Sequence, residues 1–216
     1  MTCFPVPVPH ESRRHACIGL RDACLALALE GRVVGNDLAG DGKNLIVITG
    51  ANQGGKSTFL RGIGLAQLMM QCGMFVTAES FCADLCRSLF THYKREEDAT
   101  MESGKFDEKL ARMSVIADTV TPDSMVLFNE SFAATNEREG SEIARQIVRA
   151  LMGAQVKIFF VTHQYEFAHG LWVEQMDTAA FLRADGQRTF KLLPSEPLQT
   201  SFGADLYAEV FTGATG

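Results

Sequence analysis

Three short runs of this chain are apolar at nearly every position instead of alternating with polar residues. They are Leu45-Ile46-Val47-Ile48-Thr49, Met125-Val126-Leu127-Phe128 and residues 156–161. Continuous apolar runs of this length describe strands covered on both faces, the condition of a parallel sheet between helices. Between them the period changes to that of a helix. Residues 56–70 place Phe59, Ile63, Ala66, Leu68 and Met70 at helical spacing, with Gly73 as a stop. Residues 106–119 put Phe106, Leu110, Met113 and Ala117 on one face and end at Thr121-Pro122. In residues 140–152, Ile143, Ile147, Val148 and Leu151 face inward, and residues 165–172 form a short helix. Residues 179–183 and 189–193 flank Asp185-Gly186, a hairpin signal. Residues 91–105 read as a polar connection.

Strands alternating with helices predict an α/β fold with a mostly parallel central sheet and an antiparallel hairpin near the C-terminus. Residues 1–16, with Pro5, Pro7 and Pro9, read as an irregular lead-in to a domain over 17–216. No repeat or low-complexity tract interrupts it. A length of 216 residues suits one such domain. The net charge of −6 argues against a chain that coats nucleic acid unaided, because that requires a basic face. No apolar run approaches the roughly 18 residues of a membrane span, and the first residues are not a signal peptide. The six cysteines therefore read as reduced thiols of a cytoplasmic protein.

The sharpest chemical feature is Gly50-Ala51-Asn52-Gln53-Gly54-Gly55-Lys56-Ser57-Thr58, which fits G-x-x-x-x-G-K-[ST] between a buried strand and a helix. Such glycines let successive backbone N–H groups turn toward phosphate oxygens, and the new helix directs its N-terminus at the same anion. Lys56 is then placed for the β- and γ-phosphates of ATP and Ser57 for Mg²⁺. The bland alternative is a glycine-rich turn that binds nothing.

Asn129 and Glu130 follow the second buried strand, at the position of a Walker B motif beside the phosphate loop. Glu130 is suited to orient a water attacking the γ-phosphate. Asn129 stands where a metal-orienting Asp is expected. Its carbonyl can hold a metal-bound water but adds no charge, so metal binding is expected to weaken, not vanish. Thr162-His163 closes the third strand, and His163 is a candidate sensor of the γ-phosphate. Cys82 and Cys86, with His92 nearby, lack zinc-ligand spacing, and the two cysteines read as buried thiols. Arg138, Arg145 and Arg149 read as a salt-bridged exposed face.

Together these segments resemble the ATPase domain of the MutS family of DNA mismatch repair proteins, an ABC-type P-loop NTPase fold. Residues 48–58 resemble that family's P-loop, with its Asn and its double Gly before Lys. Val33-Val34-Gly35-Asn36-Asp37-Leu38 resembles the segment near the adenine, and Gly73-Met74-Phe75-Val76-Thr77-Ala78-Glu79 the approach to the Q-loop. Ser103-Gly104-Lys105 corresponds to the signature-like loop, Thr135 and Gly140 to the loop after Walker B, and Ser201-Phe202-Gly203 to the closing motif. The resemblance covers roughly residues 17–212. Departures are Asn129 for Asp, Glu79 for Gln, and Phe106-Asp107 for Ser-Thr, which suggest a divergent branch.

The resemblance implies ATP and Mg²⁺ as ligands, Gly50 to Thr58 as the nucleotide loop, Ser57 and Asn129 at the metal, and Glu130 and His163 in hydrolysis. It implies a homodimer with composite ATP sites, and DNA contacted through domains outside this chain; no membrane is involved. The implied function is an ATPase whose nucleotide state drives dimerisation and DNA-clamp motion. The alternative is a nucleotide-dependent dimerisation switch with little hydrolysis. A small-molecule kinase is disfavoured, because Glu130 and His163 suit water activation.

Overall fold

The computed structural model describes residues 1–29, 33–50, 53–93, 105–132, 136–175, 177–184 and 189–199, without the side chains of 105 and 106. The elements run β1 (Val6–Val8), a short 3-10 turn (His10–Ser12), β2 (His15–Leu20), α1 (Ala23–Ala28), β3 (Asn36–Ala39) and β4 (Leu45–Gly50). They continue with α2 (Lys56–Gln71), β5 (Ser80–Asp84), β6 (Ser88–Tyr93), α3 (Lys105–Thr119), β7 (Ser124–Asn129) and α4 (Glu137–Gly153). β8 (Lys157–Val161), α5 (Tyr165–Val173), β9 (Ala179–Ala184) and β10 (Leu192–Pro194) complete the order.

The six-stranded sheet has the order β10-β9-β4-β8-β7-β6 and is parallel except for β10, which pairs antiparallel with β9. The three continuous apolar runs are its inner strands β4, β7 and β8, with almost every residue buried. The strand pair β9 and β10 is the expected antiparallel hairpin, and its tip at Asp185-Gly186 lies outside the described residues. A second, four-stranded sheet has the order β1-β5-β2-β3. The lead-in is thus not wholly irregular: Val6–Val8 pairs in parallel with Cys82–Asp84. Proline limits a strand's donors but is tolerated at a sheet edge, which is where β1 lies. The polar connection also begins later than expected, because Thr91, His92 and Tyr93 pair with Leu127, Phe128 and Asn129.

α2 lies between the two sheets. Its Phe59, Leu60, Ile63, Ala66 and Met70 join Ile46, Ile48, Leu127 and Phe159 of the large sheet and Leu20, Phe81 and Ala83 of the small one. A fully buried side chain such as Leu60 or Ile63 contributes about 2 kcal/mol of burial. At Gly64 helix and sheet approach so closely that a Cβ would stand 2.7 Å from Leu127 Cδ1. On the other face, α3, α4 and α5 cover a second core in which Phe128, Phe160 and Phe167 stack successively, at 5.0 and 4.4 Å between centroids.

α4 starts at Glu137, three residues before the expected start at Gly140, because the Asn136 side chain caps it by accepting from Arg138 N at 3.0 Å. Glu137 in turn accepts from Tyr165 N at 3.0 Å, so the first turn of α4 caps α5. Arg145 and Arg149 pair with Glu142 and Glu174, the salt-bridged face expected of them. Among the described residues, no helix is long and apolar enough to cross a membrane.

Candidate functional site

The loops that follow β4, β7 and β8 meet at the C-terminal edge of the large sheet, where α/β folds gather their polar groups. β7 is not beside β4, as the strand-end motifs alone suggested; β8 lies between them. The sequence signal places a motif at a strand's end but says nothing of strand order. Across that intervening strand, Ser57 Oγ donates to Asn129 Oδ1 at 2.8 Å.

The chain after β4 turns sharply. Gly50 has φ +110°, and a Cβ there would stand 2.6 Å from the carbonyl oxygen of Ala184 and 2.8 Å from its nitrogen. Glycine alone satisfies both the dihedral and the contact. Gln53 (φ +62°) and Gly55 (φ +84°) continue the loop, and Gly55 opens α2. Ala51 and Asn52 lie outside the described residues. Lys56 is buried in the first turn of α2 and donates from Nζ to the Gly50 carbonyl at 2.9 Å. Burial pulls its pKa down, and the nearby Glu130 carboxylate opposes that.

Glu130 and His163 come together. Glu130 Oε2 lies 2.6 Å from His163 Nδ1 and accepts from the His163 backbone N–H at 3.2 Å. The hydrogen bond from the carboxylate raises the pKa of His163 above 6.5, against partial burial. Glu130 donates its own N–H to Val161 O at 2.9 Å, which fixes the turn against β8. That turn is strained: Glu130 (φ +51°) and Phe132 (φ +63°) both have left-handed backbones, at about 1–2 kcal/mol each. Non-glycine residues held this way gather at functional sites.

Beside the loop opens a cavity of about 520 Å³. Gln53 to Thr58 and Glu130 contribute loop and polar groups to its lining, Leu20, Leu25, Leu29, Val33, Val34 and Phe190 apolar ones, with Phe190 close against Gly55. A cavity of this size lined by both polar and apolar groups suits a small ligand with one charged and one flat end. Val33, Val34 and Asn36, of the segment singled out in the sequence, line this cavity. Asn36 donates to Phe190 O at 2.9 Å and accepts from Leu192 N at 2.8 Å, tying this lining to the hairpin.

Sequence reasoning missed Leu20, Leu25, Phe190 and Asp22. Asp22 is almost fully buried, caps α1 by accepting from Leu25 N at 2.7 Å, and pairs with Arg61 of α2 at 2.5 Å. The signal was present, an Asp directly before Ala23-Cys24-Leu25, but the helix it starts spans only six residues. Glu79 does not line this cavity. Its carboxylate lies 3.8 Å from Arg21 and packs over Gly19. Ser103, Gly104, Thr135 and Ser201 to Gly203 lie outside the described residues, and Lys105 is the first residue of α3.

For a divalent cation, Ser57 and Asn129 offer two side-chain oxygens in contact, a fit for a hard ion that keeps water and substrate phosphates as its other ligands. No cluster of three or more His, Cys, Asp or Glu residues suited to a metal occurs among the described residues.

These features define a mixed α/β domain whose mainly parallel sheet presents a glycine loop, a lysine and a Glu–His pair at one edge. The profile of MutS domain V matches residues 46–203 of the chain, and the chain belongs to the MutS family. It is 29% identical to human "MutS protein homolog 4" over 66% of this chain and 15% of that protein. It is 31% identical to "Endonuclease MutS2" of Streptococcus thermophilus over 76% of this chain and 22% of the relative. With "DNA mismatch repair protein MutS" of Thermotoga neapolitana it shares 35% identity over 63% of this chain and 17% of the relative. The chain thus spans about a fifth or less of the length of these relatives.

Proposed function

We propose that this domain is an ABC-type P-loop ATPase that binds ATP, hydrolyses it, and couples nucleotide state to dimerisation and DNA-clamp motion in a MutS-like protein. The observation that supports it most is the shared placement of Lys56, Ser57 and Glu130 around one cavity that also has apolar lining. The phosphates would lie against Gly54, Gly55 and the N-terminus of α2, and the base against Val33, Val34 and Phe190. Lys56, now bonded to a neutral carbonyl, would exchange it for a phosphate oxygen, a stronger charge-assisted partner.

Glu130 is the group to take a proton from the attacking water. His163 is held through Nδ1, which leaves Nε2 to meet the terminal phosphate. Ser57 and Asn129 would hold Mg²⁺, which when bound neutralises charge on the β- and γ-phosphates. The neutral Asn129 also supports a second reading, a dimerisation switch with little turnover.

Calorimetry and phosphate release test the proposal. Lys56→Ala should remove most of the affinity for ATP and ADP. Glu130→Gln should keep that affinity and lower turnover about 10²-fold or more. In light scattering with ATP and Mg²⁺, the Glu130→Gln chain should persist longer as a dimer. Equal ATP binding by the Lys56→Ala chain would remove the loop as the site, and unchanged turnover in Glu130→Gln would remove the catalytic role of Glu130. ATP-dependent dimerisation without parent turnover would favour the switch. Asn129→Asp would then be expected to restore hydrolysis.

A further inference from the structure

The strained turn at Glu130 is clamped from the far side by a residue that belongs to neither the loop nor the cavity. His92 is the penultimate residue of β6, paired with Phe128 of β7, and is almost wholly buried. Its ring stacks on Phe132 at 5.3 Å and 16° and leans on Phe128 at 5.7 Å. Nδ1 lies 2.7 Å from Ser131 Oγ, and Nε2 lies 3.0 Å from the backbone oxygen of Lys109 in α3. Ser131 Oγ also lies 2.7 Å from the backbone oxygen of His92.

The donors and acceptors fix the tautomer. A carbonyl only accepts, so Nε2 carries the proton and donates to Lys109 O. The neutral ring then accepts at Nδ1, and the Ser131 hydroxyl is its donor, with the His92 carbonyl as that hydroxyl's alternative acceptor. Burial disfavours the charged ring and agrees with this assignment. The single hydroxyl proton of Ser131 therefore has two acceptors on His92 within reach, ring Nδ1 and the backbone oxygen, and serves one at a time. Ser131 is also the residue between Glu130 and Phe132, the two left-handed positions.

We propose that His92 is a positioning residue for Glu130: acting through Ser131, it holds the turn that aims the carboxylate, and through Lys109 O it joins that turn to α3. The inference rests on the hydrolytic reading of Glu130. A purely packing role would be filled by any apolar ring of similar volume. The hydrogen-bonded role depends on an acceptor at the Nδ1 position. His92→Asn keeps an acceptor oxygen near that position, whereas His92→Ala removes it and Ser131→Ala removes its donor.

The test is ATP turnover by the full chain carrying each substitution. His92→Ala and Ser131→Ala should each lower kcat about tenfold or more, with KM for ATP changed less than about twofold, since aim and not binding is lost. His92→Asn should recover kcat to within about threefold of the parent, because its amide oxygen can accept from Ser131. Added to Glu130→Gln, His92→Ala should cause no further loss, since both act on one group. Unchanged kcat in His92→Ala, no rescue by Asn, or a fully additive double mutant would each overturn the proposal. A crystal structure of the His92→Ala chain reads the same point without turnover. Glu130 should leave positive φ and lose its contact with His163, and an unaltered turn would overturn the proposal. If Glu130→Gln left turnover unchanged, the hydrolytic reading would fail separately from this geometric result.

Discussion

Glu130 and His163 hold each other by two hydrogen bonds to one carboxylate oxygen, and this pair has a defined response to pH. The folded-state pKa of His163 is raised above its ordinary 6.5. The pair therefore contributes fully to stability below about pH 6.5, and that contribution is lost as pH rises through the folded value. More than half of the His163 side chain is exposed, so solvent keeps the contribution small. An NMR titration of His163 should show the raised pKa in the parent and its return toward 6.5 in Glu130→Gln. An unmoved titration would mean that the carboxylate is not the cause. The position of Glu130, His163, Ser57 and Asn129 at the ends of buried strands or just after the loop was legible in the sequence, because polar residues after a continuous apolar run are conspicuous. Asp22, Phe190 and the His92–Ser131 contact were not. Their partners lie from 39 to more than 150 residues away in the chain, and no local pattern joins them.

At the scale of elements, three of the strands read from sequence are those whose burial is nearly complete, and β9 and β10 were marked instead by the turn signal Asp185-Gly186 between them. β4, β7 and β8 are apolar throughout because helices or a second sheet cover both faces. β2, β3, β5 and β6 escaped notice for the opposite reason. β3 alternates buried and exposed residues over only four positions, Asn36-Asp37-Leu38-Ala39, half of them polar. β2 carries Gly19 at φ +60° and a register shift against β3 between Cys17 and Leu20. The close packing of α2 yields a direct prediction. Gly64→Ala should favour the helix by propensity, yet its methyl would press on Leu127 at the centre of the sheet. Overpacking should outweigh propensity, and urea unfolding should show a net loss of about 1–3 kcal/mol. A gain in stability would mean that Leu127 can move aside.

At the scale of the whole molecule, the two sheets are joined by apolar packing on α2 and by one buried ion pair. Lys157 Nζ at the start of β8 lies 2.8 Å from Asp84 Oδ1 at the end of β5, and it also donates to Arg14 O at 3.2 Å. Both side chains are almost wholly buried, and burial pulls the pKa of Lys157 down despite its partner. Asp84→Ala should leave that ammonium uncompensated and cost about 3–5 kcal/mol, read by denaturant unfolding. Adding Lys157→Met should recover much of the loss, since an apolar side chain of similar length needs no partner. If the double substitution were as unstable as Asp84→Ala alone, the pair would not be what links the sheets there. His10 reinforces the junction, with Nδ1 3.9 Å from Asp84 and Nε2 2.5 Å from Asp123, so the supposed lead-in belongs to it.

The contact between Gly50 and Ala184 bears on how far this site can be treated as a movable part. The loop bends against the backbone of β9, more than 130 residues later in the chain, and neither surface has room for a side chain between them. Residues 45–71 look self-contained in sequence: a strand, a loop and a helix that could be spliced into another scaffold. Such a graft would carry the letters of the loop without the wall that bends it. An engineered chimera should recover the loop's shape only when β9 is transplanted with it.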